Sequence, residues 1–307
     1  MSPVRKGYLF GIAAYLLWGV FPLYWKLLRP SGALEILAHR IVWSFAAVAI
    51  IMTVGRGWRR IWALVRRPRK LGLIATAAVT IAVNWTVYIY GVNTDRVVET
   101  SLGYFISPLL TVLLGVFTLR ERLRPAQWAA IGVGSLAVGV LTVDYRHVPV
   151  LALAIASSFG LYGLIKKRLA VPAADGLLVE SGVLLVPAIT FLAALTVRGQ
   201  STFGHVSAAH TGLLMFAGVL TATPLLLFAG ATNRIPLSAI GLLQYLAPIM
   251  QLGIGVLVFH EPMPPARLAG FALVWLALGV FTGDGIRHAR SHSRSTMSAP
   301  DPAPASV

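Results

Sequence analysis

Ten long runs of apolar residues, separated by short polar or basic interruptions, dominate this chain, and they show no alternation that would suit a half-buried strand. A helix needs about 20 mostly apolar residues to cross the hydrocarbon of a bilayer. The runs predict spans at Tyr8–Leu28, Leu34–Val54, Leu71–Val92, Val97–Leu119, Ala126–Val143, Val148–Ile165, Leu177–Val197, Thr211–Ala231, Pro236–Phe259 and Ala266–Ile286. The fold class expected is therefore an all-α membrane protein with ten transmembrane helices.

The pattern repeats. Pro108, Glu121 and Pro125 recur as Pro248, Glu261 and Pro265, each 140 positions on and with no gap between them. Asn93/Asn233, Gly115/Gly255, Val116/Val256, Ala126/Ala266, Gly139/Gly279 and Val140/Val280 keep the same offset. Each copy holds five spans, and an odd number makes the second copy enter the membrane from the opposite face. Two inverted five-helix repeats, residues 1–143 and 144–286, are expected around a central cavity, followed by a disordered cytoplasmic tail at 287–307. Inverted halves can exchange conformations about a shared site, which is the physical basis of alternating access.

Composition agrees with the spans: the chain is 57% hydrophobic and 12% charged, with a mean hydropathy of +0.78, outside the balance of a soluble domain. The net charge of +16 could suggest nucleic acid, but its distribution argues for topology instead. With the N-terminus inside, the inner segments hold Arg5, Lys6, the basic run from Arg56 to Lys70, Arg120, Arg122, Arg124, Lys166, Lys167, Arg168, Arg234, Arg287, Arg290 and Arg294. The outer segments hold only Arg29, Arg96, Arg146, Arg198 and Arg267. By the positive-inside rule both termini are cytoplasmic. The first span lacks an evident cleavage site and is read as retained.

No cysteine occurs, which removes disulfides and thiolate metal sites. No P-loop, dinucleotide fingerprint, nucleophile elbow or acidic metal motif is present. No cofactor, metal or catalytic residue is expected, and no soluble domain that would house an ATPase.

Four segments carry a resemblance. Gly7–Lys26 (GYLFGIAAYLLWGVFPLYWK), Glu35–Ser44 (EILAHRIVWS), Asn84–Asn93 (NWTVYIYGVN) and Ser101–Leu110 (SLGYFISPLL) resemble the RarD branch of the EamA transporters, in the drug/metabolite transporter superfamily. The resemblance covers about residues 5–285 and leaves out the tail. It implies a ten-helix bundle with a central cavity in the bacterial inner membrane, transport of a small solute, and a phenotype described through chloramphenicol sensitivity or resistance.

Ionisable residues inside spans are costly and are therefore candidates for function. His39 and Arg40 lie in the second span and Glu99 at the start of the fourth, so a Glu99–Arg40 pair is predicted near the outer mouth. Glu35 shares a helical face with His39, four residues on. This cluster is either a gate or proton-coupling group, or a helix staple that never meets solute. A metal at Glu35/His39 is rejected for want of further ligands. Glu180 is the repeat counterpart of Arg40 at the opposite mouth, too far away to pair with it. It is expected to face Lys166, Lys167 or Arg168, or to carry a proton.

The expected cavity wall is aromatic and amide. Asn84 and Tyr88 share a face with Trp85 beside them, Trp18 lies deep in the first span, and Tyr104 matches Gln244 and Phe105 matches Tyr245 ahead of the repeated prolines. Core packing or an interfacial aromatic belt is the competing reading of each one. Glycines are expected to mark close helix contacts, within the chain or in a homodimer. Pro22, Pro108, Pro187, Pro224 and Pro248 are candidate flex points, with no span broken outright.

The function expected is secondary transport, with a small-molecule substrate and the lipid bilayer as partners and no nucleic acid. Export of amphipathic metabolites or drugs is the favoured direction. The alternative is a non-transporting membrane receptor or assembly factor.

Overall fold

The computed structural model describes residues 2–119, 123–169, 171–232, 234–235, 239–240 and 243–297. The repeated Glu121 and Asn233 lie outside the described residues, as do 298–307 at the end of the tail. The described chain is helical, with no strand. In order the helices are α1 (Pro3–Gly19), α2 (Phe21–Leu27), α3 (Ala33–Val54), α4 (Trp58–Val65), α5 (Pro68–Asn93), α6 (Val97–Leu119), α7 (Pro125–Tyr145), α8 (Val150–Leu169), α9 (Ala173–Val197), α10 (Ala208–Thr232), α11 (Leu246–Gly253) and α12 (Pro265–Met297). Seven helical stretches among the described residues are long and apolar enough to cross a membrane, and two shorter apolar ones are Val150–Lys166 and Leu246–Val258.

Large apolar side chains point outward along these helices: Val143, Val186 and Leu257 are each more than 70% exposed. Water would not favour such a surface, whereas lipid chains solvate it without penalty. The long helices are apolar on their outer faces too, and this is a multi-pass membrane protein.

Successive helices run back and forth, which collects their ends into two groups. One end of the bundle, here the Asp95 end, gathers the start of α3, the α5–α6 turn, the α9–α10 connection and the start of α8. The other, the Glu180 end, gathers α4, the end of α8 and the start of α9. Asp95 closes the α5–α6 turn in a left-handed conformation (φ 57°), which Asp tolerates better than most residues.

Helix neighbours come in matched sets. α5 packs on α8 as α10 packs on α1; α6 packs on α8 as α11 packs on α1; α3 packs on α10 as α9 packs on α5. α3 also packs on α9 and α7 on α12. Trp43 and Ser44 of α3 approach α10 so closely that a Cβ on Gly218 would lie 2.2 Å from the Trp43 carbonyl carbon. Gly103 is also tight, with the Ala152 carbonyl oxygen 2.7 Å away, and Gly255 less so at 3.0 Å, but Gly132, Gly139, Gly253 and Gly279 have nothing within 4 Å of such a Cβ. Packing therefore explains only part of the glycine pattern.

Several boundaries differ from the expected spans. The first span is two helices, because Pro22 has no N–H to give the Trp18 carbonyl and the helix breaks at Val20. The ninth span is irregular: Gln244 and Tyr245 form a turn before α11, and Ile254–Val258 widens into a π-helical turn closed by Phe259 N–H on the Ile254 carbonyl at 2.9 Å. The unforeseen α4 is a short amphipathic helix inside the basic run. Trp58, Ile61, Trp62 and Val65 share a side, Ile61 is buried, and α4 rests on α5 and α9. Finally, α12 runs to Met297, past the expected end of the tenth span at Ile286. Extending an existing helix costs little even through polar residues.

Candidate functional site

Three layers of polar chemistry lie along the bundle. At the Asp95 end the groups are matched. Buried Glu35 accepts from the Thr202 N–H at 2.7 Å and the Ser201 hydroxyl at 3.2 Å, tying α3 to the α9–α10 connection. Ser31 Oγ lies 2.8 Å from His210 Nε2, and Asn93 donates to the Ser31 carbonyl at 3.3 Å. Lys26 and Arg29 both pair with Asp95. The hydrogen bond from Lys26, and then its charge and that of Arg29, hold the Asp95 carboxyl below its usual range. Glu261 accepts from the first N–H groups of α6, at Val97 (2.6 Å) and Val98 (2.8 Å), where a carboxylate is favoured by the helix dipole.

The predicted Glu99–Arg40 pair does not form. Glu99 is taken by Arg96 one turn back, at 2.5 Å, and by the Leu151 N–H at the start of α8, at 3.1 Å. A partner on the same turn and an orphan N–H outcompete an arginine on another helix. His39 does not bond to Glu35 either: its ring stacks on Phe203, with centroids 4.7 Å apart, and Nε2 has no partner among the described residues.

At the other end Glu180 pairs with Lys166 at 2.7 Å and accepts from the Tyr162 hydroxyl at 3.1 Å, which realises one of the expected partners. Asp175 pairs with Arg60 of α4 at 3.0 Å, and Arg124 with Asp284 at 2.5 Å.

The layer next to the Asp95 end differs. Arg40 is 3% exposed and is the only buried Lys or Arg among the described residues. It makes no hydrogen bond and no ion pair there, and Nε is fully enclosed. Its guanidinium lies 3.8 Å from the Trp85 ring centroid, 5.1 Å from Trp25 and 5.9 Å from Phe21. The Tyr88 and Tyr104 hydroxyls are within electrostatic range. A desolvated cation over an aromatic face gains about 2 kcal/mol or more, and all three rings lie within reach, Trp85 nearest. Burying an ion costs several kcal/mol, and each N–H left without an acceptor about 1–3 kcal/mol more. The rings offset the charge but leave the guanidinium unsatisfied.

Other unpartnered groups stand beside it. Trp25, fully buried, has no acceptor for its indole N–H, and the buried Tyr88 hydroxyl has no partner. Asn84, by contrast, is well bonded: it donates to the Ile155 carbonyl and to Ser158 Oγ, both at 3.0 Å, and accepts from the Tyr104 hydroxyl at 3.2 Å. Tyr104 stands edge-on to Tyr88, with centroids 5.5 Å apart. Asn84 thus ties α5 to α8 and positions Tyr104.

The structure brings Arg40, Trp85, Asn84, Tyr88 and Tyr104 together and adds Trp25 and Phe21, which the sequence reading missed. Their i, i+4 spacing, with Arg40 as the unmatched buried charge, was the available signal. Trp18 packs with Tyr15 and Phe228, 5.3 and 5.9 Å away. Tyr245 packs against the core of α6, α7 and α12, with Gln244 next to it in the turn. Glu35, His39 and Glu99 belong to the Asp95 end, and Glu180 to the other. Two apolar cavities, about 600 and 170 Å³, open beside α3, α5 and α9, the larger reaching Glu35 and Tyr90 and the smaller Ile41 and Pro187. Neither of these two is lined by Arg40, Asn84 or Tyr88.

Comparison with known proteins agrees with this architecture. Residues 5–143 match the family model described as the EamA-like transporter family. The protein RarD of Streptomyces exfoliatus is 51% identical over 97% of this chain and 94% of its own length. The uncharacterized transporter YojE of Bacillus subtilis is 41% identical over 94% of this chain and 98% of its own. A chloramphenicol-sensitive protein RarD of Pseudomonas aeruginosa is 30% identical over 94% and 97%. A crystal structure of a protein with 22% identity aligns over 91% of this chain and 98% of the other with a TM-score of 0.57, a likeness of fold.

Proposed function

Because this chain belongs to the RarD branch of the EamA-like transporter family, we propose that it is a secondary transporter exporting small amphipathic solutes by alternating access. The observation that carries this reading is the exchange of helix neighbours under the 140-residue offset. Where α5 meets α8, the shifted pair is α10 and α1; where α6 meets α8, it is α11 and α1. Such pairing is what two inverted halves, 1–143 and 144–286, would produce, and it lets one end close as the other opens. The ten crossings, the inner-membrane location and the cytoplasmic termini belong to the same proposal, with the Asp95 end facing out.

The polar seal at the Asp95 end supports the mechanism. Glu35–Thr202, Ser31–His210, Glu99–Leu151 and Glu261–Val97 each join one half to the other. A conformation that opens this end must exchange those bonds for water. The three bonds to carboxylates are worth about 1.5–3 kcal/mol each and the neutral one about 1 kcal/mol, so a populated second state requires compensating bonds at the opposite end.

Reconstitution tests the reading. Purified protein in sealed vesicles should accelerate counterflow of a labelled solute that the cells export, and vesicles that stay impermeable to every solute tried would favour the receptor alternative. The cysteine-free chain also permits topology mapping with Trp62→Cys and His147→Cys, both exposed positions. Impermeant reagent should reach His147→Cys alone in intact cells, and labelling of both from one side would refute the inverted halves.

A further inference from the structure

We propose that Arg40 and the rings around it bind the carboxylate of a monoanionic organic solute whose body is aromatic or apolar. The proposal rests on the transporter reading and names the solute class of its central site.

Three buried donors without a partner among the described residues share one neighbourhood: Nε of the Arg40 guanidinium, the indole N–H of Trp25 and the hydroxyl of Tyr88. Arginine and tryptophan only donate, and a carboxylate only accepts. An anion therefore complements this group, whereas a cation is repelled and a neutral amide brings donors of its own. The guanidinium offers a planar fork that matches a carboxylate in two parallel bonds. Trp85, Trp25, Phe21 and Tyr104 supply apolar faces for the rest of the solute.

Charge bounds the ligand further. The buried carboxylates Glu35, Glu99, Asp175, Glu180 and Glu261 are all engaged elsewhere, so Arg40 meets no counter-charge among the described residues. One positive charge in a low-dielectric box is neutralised by one negative charge. A phosphate monoester, carrying about −1.5 to −2 at neutral pH, would leave an excess.

Thermal unfolding of the purified full chain in detergent tests this, with benzoate, phenylacetate and indole-3-acetate as acids, phenylacetamide as neutral isostere and phenyl phosphate as dianion. At least one acid should raise the Tm, with phenylacetamide and phenyl phosphate giving little or no shift. Arg40→Lys should weaken the apparent affinity at least about 30-fold, the order expected when a desolvated charge pair loses its geometry. Arg40→Met should abolish the shift while its ligand-free Tm equals or exceeds that of the parent, because it removes an uncompensated charge. Should that variant fail to fold, Tyr88→Phe and Trp25→Phe carry the test, each expected to lower acid affinity severalfold.

No shift with any of the three acids, an equal shift from phenylacetamide, a larger one from phenyl phosphate, or an acid response that survives in every variant would overturn the proposal. The two readings fail separately. An acid shift without flux of that acid in vesicles leaves the site and sinks the transporter. Flux that ignores the difference between acid and amide does the reverse.

Discussion

The side-chain amide of Gln251 donates to the Trp18 carbonyl at 3.0 Å, filling the place of the N–H that Pro22 lacks. A helix proline frees the carbonyl four residues back, and inside a membrane that oxygen needs a partner. Here the partner comes from α11, in the other half of the chain. The break between α1 and α2 is thereby fastened to the opposite half.

Gln251→Leu should lower stability by about 1–3 kcal/mol, the cost of a buried acceptor left unmatched. Pro22→Ala restores the missing N–H, so the same Gln251 change should cost less in that background. Thermal unfolding of the four proteins in a double-mutant cycle measures the coupling, and additive losses would mean that the amide does not serve the proline break.

Asn84 and Tyr88 were expected to act alike, and their partners separate them. Asn84→Leu should destabilise by about 1–3 kcal/mol, because it leaves the Tyr104 hydroxyl and the α5–α8 contact short of a bond. Tyr88→Phe removes a hydroxyl that has no partner, so its stability should stay within about 0.5 kcal/mol. Solute affinity should fall in both. Equal unfolding temperatures for the two variants would contradict this assignment.

Asp95 makes a prediction about pH. Its folded carboxyl is held below the unfolded value by Lys26 and then Arg29, so its stabilising contribution is complete above about pH 4 and is lost as pH falls through the depressed folded value. Asp95→Asn should therefore reduce stability at neutral pH and flatten the acid limb of the profile. With the carboxylate half exposed, the effect should be small. Profiles that run parallel down to pH 3 would remove Asp95 from this role.

Two glycines should respond oppositely. At Gly218 a methyl group would collide with the α3 backbone, and Gly218→Ala should cost about 1–3 kcal/mol or more by forcing α3 from α10. Gly139 faces open space in α7, where Ala is the better helix former, and Gly139→Ala should gain up to about 1 kcal/mol. Unfolding in detergent reports both, and a loss at Gly139 would point to a contact with another molecule.

By itself the sequence determined the membrane class, the positions of most helices and the 140-residue duplication, because burial in lipid demands long apolar runs and a repeat keeps its register whatever the packing. Glu180 beside Lys166 was also legible, since both sit near adjoining helix ends. Only the tertiary structure decided which charges meet. Glu99 turned to Arg96 and Leu151, and Arg40 was left among Trp85, Trp25 and Phe21, because side-chain pairing depends on helix rotation and crossing, which a linear pattern does not encode. The same holds for Trp18 and Gln251: the proline foretold a stranded carbonyl, but a partner 233 positions away was set by the fold alone.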